Sequence, residues 1–403
     1  MKYIVVLGDG MADEPLEALD GRTPLEVAET PVMDDLAGRS EMGMAANIPE
    51  GMKPGSDTAN LAVLGYYPKK YYSGRSPLEA LSIGVPMKDT DIAIRCNFVT
   101  LTGDDLPYEE KTIIDHSSSE ISTEDCAVLL EAVKKEVVKP PFSLYLGTSY
   151  RHCLIWDGGR VVNLAQPHDI PGRVIGEYLP DEPLLREMMK KSYDVLNNHP
   201  LNIERAKKGL NKANSMWFWG AGTKPALSSF EEKTGLKGAM ISAVDLLKGI
   251  AVGAGMHVEI VPGADGTLHT NYEGKANAAV RLLKEGYDFV YVHVEAPDEM
   301  GHQGSIERKI KSIENLDSRV IKIIREQMED WGEPYRMMVL PDHPTPIWCR
   351  THTSNPVPYM IYDSTREGRR IDRYNEKVAA ARELFIPEGY RLMDRLLEKE
   401  LPQ

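Results

Sequence analysis

Three runs of β-favouring apolar residues each give way abruptly to an acid, and this repeated pattern limits the fold more than anything else in the chain. Tyr3-Ile4-Val5-Val6-Leu7 runs into Gly8-Asp9-Gly10, Phe289-Val290-Tyr291-Val292-His293-Val294 into Glu295-Ala296-Pro297-Asp298, and residues 336–340 into Pro341-Asp342-His343. Short continuous apolar runs read as strands buried on both faces, as in parallel sheets. Further strands are expected at 216–220, 239–241 and 258–261, alternating with helices at 275–286 and 306–330. Such βα alternation predicts an α/β fold with a doubly wound, mostly parallel sheet. In that architecture the C-terminal strand ends share one edge, where chemistry is placed.

A chain of 403 residues exceeds one ordinary core and suggests two domains. After about residue 88 the character changes. Strands are expected at 92–100, 143–146, 151–156 and 161–164, with helices at 120–135 and 180–198 and a polar return over 202–214. This predicts a smaller α+β domain, 89–212, inserted into a discontinuous domain made of 1–88 and 213–403.

With 42% hydrophobic and 27% charged residues the chain reads as an ordinary globular protein. A formal net charge of -14 argues against nucleic acid as a partner. An anionic substrate then needs a local cluster of cations. The four cysteines form no CxxC pair, and scattered thiols fit a reducing compartment. No apolar run is long enough to span a membrane, and the N-terminus starts a strand at once, leaving no room for a signal peptide. A cytoplasmic enzyme is the expectation.

Thr23-Pro24 and Thr30-Pro31 read as helix starts, Thr at the N-cap and Pro at the first helical position. A breaker-rich loop, 48–55, delivers Ser56 to another helix N-terminus, where free N–H groups and the dipole suit a phosphate. Taken alone, Ser56 is better explained as a plain N-cap, and Asp9 equally well as a turn cap.

What raises these residues above chance is repeated context. Asp9, Asp298 and the Asp342-His343 pair each follow a strand of one sheet. His302 lies four residues after Asp298, a spacing that puts both on one side of a helical turn, although Pro297 and Gly301 argue for a short loop. His352 follows in a proline-bounded loop. With Ser56 the set comprises three Asp, three His and one Ser, enough to supply two metals with three or four ligands each. Paired metals clamp the attacking and leaving oxygens of phosphoryl transfer, and a metal-bound serine becomes a nucleophile. Neither a Walker loop nor a kinase HRD signature is present.

These pieces together resemble the cofactor-independent (2,3-bisphosphoglycerate-independent) phosphoglycerate mutases, in their archaeal-type branch within the alkaline phosphatase superfamily. The matching segments are Gly8-Asp9-Gly10, Gly55-Ser56-Asp57-Thr58-Ala59-Asn60, Ser73-Gly74-Arg75, Pro167-His168-Asp169, Pro297-Asp298 with His302, Asp342-His343, and His352 with Asn355-Pro356-Val357-Pro358. The resemblance implies interconversion of 2- and 3-phosphoglycerate in glycolysis and gluconeogenesis through a phosphoserine, without 2,3-bisphosphoglycerate. It implies two divalent ions, Mn²⁺ or Zn²⁺, one held by Asp9, Ser56, Asp342 and His343, the other by Asp298, His302 and His352. Ser56 would be the nucleophile, with Lys248 and Lys224 facing the transferred phosphate. Arg151, His152, His116 and His168 would bind a small phosphorylated anion from the inserted domain, although surface charge explains Arg151 and the lysines equally well. One departure stands out. The related mutases carry Asp-Arg-Arg-Ala-Gly-Arg where this chain has Asp115-His116-Ser117-Ser118-Ser119-Glu120. A bacterial side branch similar there has been proposed to act as a homoserine kinase, which is the alternative expectation.

Overall fold

The structure, a computed structural model, describes residues 1–366 and 372–398. The described strands are β1 (Lys2–Gly8), β2 (Ser40–Ala45), β3 (Ile92–Thr102), β4 (Thr112–Asp115), β5 (Phe142–Tyr145), β6 (Arg151–Trp156), β7 (Ser215–Thr223), β8 (Gly238–Ile241), β9 (His257–Glu259), β10 (Phe289–Val294), β11 (Tyr335–Leu340), β12 (Val357–Asp363) and β13 (Phe385–Ile386). The chain divides into two compact units, Met1–Tyr72 with Ala226–Gln403, and Ser73–Pro225.

The first unit is built on an eight-stranded sheet of order β13-β2-β12-β11-β1-β10-β8-β9. The run β11-β1-β10-β8-β9 is parallel throughout, while β12 pairs antiparallel with both β11 and β2. Ile4, Val5, Val6 and Leu7 of β1 are fully buried on both faces, as a central parallel strand requires. Thr23 caps its helix as expected: its hydroxyl accepts from Glu26 N, and Glu26 returns the bond to Thr23 N. Thr30 makes no such side-chain cap. The expected long helix over 306–330 is three pieces: Ile306–Leu316, a π-helical turn at Asp317–Ile321, and Lys322–Trp331. At that turn the buried Asp317 carboxylate accepts from the N–H groups of Val32 and Met33, at the start of helix Pro31–Ala37.

The second unit is a five-stranded antiparallel sheet. β3 carries β6 and β4 along one edge and β7 along the other, and β5 extends beyond β6. Helices Thr123–Glu136 and Pro183–Leu196 contribute to a core that includes Cys96, Phe98, Leu130, Met189 and Trp217. Residues 161–164, expected as a strand, form none, and the expected polar return contains helix Pro200–Lys207.

The boundaries fall outside the expected 88/89 and 212/213. Helix Arg75–Ser82 packs on β3 and β7, with Glu79 paired to Arg95 and Ser76 Oγ donating to the Gly220 carbonyl. β7, expected in the parallel sheet, instead pairs antiparallel with β3. Its apolar run is fully consistent with either sheet, because both bury it. Among the described residues, no helix is long and apolar enough to cross a membrane.

Candidate active site

The site residues of the first unit hang from the C-terminal edge of its parallel strands. Asp9 follows β1, Asp342 and His343 follow β11, and Asp298 and His302 lie on helix Ala296–His302, which follows β10. That last segment is helical where a loop was expected. Pro297 falls in the first turn, where its missing N–H costs nothing. Ser56 opens helix Ser56–Val63, with Gly55 at the N-cap.

These elements bring seven of the expected residues together. Ser56 Oγ lies 3.2 Å from His343 Nε2 and 3.4 Å from Asp9 Oδ2. His343 Nε2 lies 3.5 Å from both Asp9 Oδ1 and Asp342 Oδ2. On the other side, Asp298 is 3.2 Å from His302 Nε2 and 3.4 Å from His352 Nε2. The His343 and His352 rings sit 4.0 Å apart, so His343 joins both halves: Asp9, Asp342 and His343 converge, as do Asp298, His343 and His352.

Neighbouring groups fix these side chains. Asp342 accepts from the Gly10 and His343 N–H groups through Oδ1 and from Asn60 Nδ2 through Oδ2. Asn60 is held in turn by Tyr291, whose hydroxyl donates to Asn60 Oδ1 at 2.5 Å. Thr345 Oγ1 donates to Asp298 Oδ1. The Lys309 ammonium, fully buried, reaches Asp13 Oδ2 at 2.7 Å, the Thr345 carbonyl at 2.8 Å and the Ala12 carbonyl at 3.2 Å, tying the loops after β1 and β11 together. Gly10 has φ +58, and a Cβ there would lie 2.5 Å from Thr345 Oγ1 and 2.6 Å from Asp298 Oδ1. Only glycine fits so close a backbone approach.

Electrostatically the cluster is short of cations. Burial, then the charges of Asp342, Asp298 and Glu295, push the Asp9 carboxyl well above the usual carboxylate range. Among the described residues, the ion-pair partners of Asp9, Asp298 and Asp342 are histidines. Burial opposes ionisation of Asp298, yet hydrogen bonds from His302 and His352 hold it well below its ordinary value, and Asp298 raises His302 to about 9. Burial lowers His343. Asp9 Oδ1 is buried without a hydrogen-bond partner. An orphaned carboxylate oxygen among acids and imidazoles is a donor set that suits a divalent ion of the Mn²⁺ or Zn²⁺ type.

The remaining expected residues lie elsewhere. Lys248 is on helix Asp245–Gly253, which packs beside helix Ser56–Val63, and pairs with Asp245 at 2.7 Å. Lys224 belongs to the second unit and pairs with Asp89. There His116 and His168 approach each other (6.1 Å between rings), His168 packs edge-on to Trp219, and Arg95 stacks over Trp219 at 4.1 Å while forking onto Glu79. Arg151 is exposed over Tyr150, itself against His116. His152, expected beside Arg151, points the other way, into the core against Phe98, because successive strand residues face opposite sides of a sheet. Burial lowers its imidazole to about 3.

Sequence reasoning missed Asn60, Tyr291, His293, Lys309, Thr345 and Arg95. Polar residues within apolar strands, such as His293 in β10, are the one signal that could have marked some of them.

The sequence pattern of the 2,3-bisphosphoglycerate-independent phosphoglycerate mutase family matches residues 37–202. The chain is 46% identical over 405 residues to a probable 2,3-bisphosphoglycerate-independent phosphoglycerate mutase of Geobacter sulfurreducens, covering 99% of this chain and 100% of that one. It is 48% identical over 404 residues to the mutase of that name from Methanosarcina barkeri, with 99% and 100% covered. Among solved structures it is similar to a Pyrococcus horikoshii protein (TM-score 0.82, 30% identity, 100% and 98% covered) and to the cofactor-independent phosphoglycerate mutase of Thermoplasma acidophilum (TM-score 0.67, 27% identity, 99% of each covered). With identity this high from end to end, the chain belongs to the 2,3-bisphosphoglycerate-independent phosphoglycerate mutase family.

Proposed function

We propose that this protein interconverts 2- and 3-phosphoglycerate, without 2,3-bisphosphoglycerate, through a phosphorylated Ser56. The observation that carries the reading is the convergence of Ser56 Oγ on His343 and Asp9 at the C-terminal sheet edge. Asp9, Ser56, Asp342 and His343 would hold one divalent ion, Mn²⁺ or Zn²⁺, and Asp298, His302 and His352 a second. Bound there, the ions would favour the serine alkoxide and neutralise the phosphoryl oxygens.

Ser56 gives up its hydroxyl proton as Oγ attacks phosphorus, and the bond to the C3 (or C2) oxygen breaks, leaving phosphoserine and glycerate. The departing oxygen takes a proton. The other glycerate hydroxyl then loses its proton as it attacks the phosphoserine, and the released Ser56 oxygen takes one back, so neither a phosphoryl group nor a proton is gained or lost. Lys248 is proposed to face the phosphoryl group. Arg151, His116, His168 and, beyond the expected set, Arg95 are proposed to recognise the substrate anion. The four cysteines are free, in keeping with a cytoplasmic setting.

The mutase reading is preferred to a homoserine kinase because the relatives described above are named mutases. A coupled assay with 3-phosphoglycerate tests it against ATP with homoserine. Turnover of the first and loss of it in Ser56→Ala are expected; turnover of homoserine alone would overturn the reading.

A further inference from the structure

His293 sits fully buried in β10, between two side chains and remote from solvent. The direction of its hydrogen bonds can be read from its neighbours. The Val244 N–H donates to Ser242 Oγ at 3.0 Å, so that oxygen is an acceptor and its own hydrogen is free to go elsewhere. Ser242 Oγ lies 3.2 Å from His293 Nδ1, and His293 Nε2 lies 2.9 Å from Asp9 Oδ2. Nδ1 is the acceptor in reach of that hydrogen, so Ser242 donates to Nδ1 and the ring proton sits on Nε2, facing Asp9 Oδ2.

The array of serine, histidine and acid runs in the same donor-to-acceptor sense as a nucleophilic triad, with the two ring nitrogens exchanged: Nδ1 faces the serine and Nε2 the acid. In a triad the imidazole takes the serine proton through a lone pair, and its other N–H faces the acid in an open cleft. Here all three residues are buried. The result is felt at Asp9. Its Oδ2 meets His293 at 2.9 Å and the Ser56 hydroxyl at 3.4 Å, while Oδ1 has no hydrogen-bond partner and lies 3.5 Å from His343 Nε2.

We propose that His293, oriented by Ser242, is a positioning residue that holds Asp9 so that Oδ1 alone is presented to a divalent cation. This rests on the metal-dependent reading above. Outer-shell partners of this kind typically change metal affinity by about 10- to 100-fold when lost.

The test is calorimetric titration of Mn²⁺ into the chelator-stripped full-length protein, with far-UV circular dichroism to verify folding. His293→Leu removes the donor and is expected to weaken binding at least about 10-fold. His293→Gln returns an N–H close to the Nε2 position and is expected to recover most of the loss. Ser242→Ala releases the tautomer and is expected to fall between wild type and His293→Leu. A folded His293→Leu protein that binds as tightly as wild type overturns the proposal, as does a Gln variant no better than Leu. Should the Leu variant fail to fold, Ser242→Ala decides, and unchanged affinity there overturns the proposal. Absence of Mn²⁺ and Zn²⁺ binding by the wild type would instead overturn the metal-dependent reading itself.

Discussion

The Nε2 atoms of His302 and His352 lie 3.0 Å apart. His302 Nδ1 meets the Arg350 carbonyl at 2.9 Å and donates to it, so the Nε2 atoms of the two rings are turned toward one another and toward Asp298. Without a cation between them, one of these nitrogens must carry a proton. A divalent ion would satisfy both lone pairs and the carboxylate at once. Stripping the protein with a chelator is therefore expected to abolish mutase turnover, and Mn²⁺ or Zn²⁺ to restore it. His352→Ala is expected to lower kcat more than about 100-fold, beyond the range typical of outer-shell partners. Steady-state kinetics with added metal are the measurement, and full activity after exhaustive chelation would count against the site.

Gly10 permits a second test that leaves every ligand in place. A methyl at this position would press on Thr345 and Asp298 and would require a left-handed backbone from alanine. The strain itself costs about 1–2 kcal/mol, too little to unfold an ordinary domain. Gly10→Ala is expected to keep its circular dichroism spectrum while losing metal affinity and turnover. Wild-type affinity in this variant would show that the close approach is not needed.

Lys309 is expected to matter for stability. Replacing it with Met leaves the Asp13 carboxylate buried without its ammonium partner, together with two carbonyls that lose a donor. Breaking one side of a buried pair costs about 3–5 kcal/mol. Urea denaturation should show a loss of that size for Lys309→Met and none for Lys311→Met, whose side chain is exposed.

Asp317 gives a pH dependence with a definite sign. Burial raises its carboxyl to about 6, against the pull of the Met33 and Val32 N–H groups. The unfolded value is about 3.9, so the folded state binds the proton more tightly. The associated stability is fully present below about pH 4 and is lost as pH rises through about 6, amounting to roughly 2–3 kcal/mol. Asp317→Asn cannot titrate. Comparing unfolding free energies of the two proteins from pH 4 to 7 should show wild type losing stability relative to the variant. Parallel curves would mean that the carboxyl is not perturbed.

Much of the candidate cluster was legible because the strand ends of a parallel sheet share one edge. Asp9, Asp298, Asp342 and His343 could be found from an apolar run stopping at an acid. The architecture was legible because β1, β10 and β11 are mostly apolar, with Lys2, His293 and Arg336 the exceptions. The parts that escaped reading depend on tertiary pairing. β7 has an apolar strand sequence that suits either sheet, and only its partner, β3, decides which one it joins. β2, Ser40–Ala45, carries no β-branched residue and becomes a strand through pairing with β12 and β13. His293, Lys309 and Thr345 act through partners far away in sequence, and no local pattern announces them. His152 was misplaced because proximity to Arg151 in sequence means opposite faces in a strand.

The pairing of β3 with β7 has a consequence for how such a chain could arise. Ile92 lies opposite Thr223 and Ala93 opposite Gly222, so the first strand of the second sheet and its last leave side by side. A segment whose two ends nearly meet can be spliced into a surface loop of a host fold without stretching the host. The second unit thus has the topology of a portable cassette, one that could be exchanged or redesigned while the acids and imidazoles of the host stay as they are.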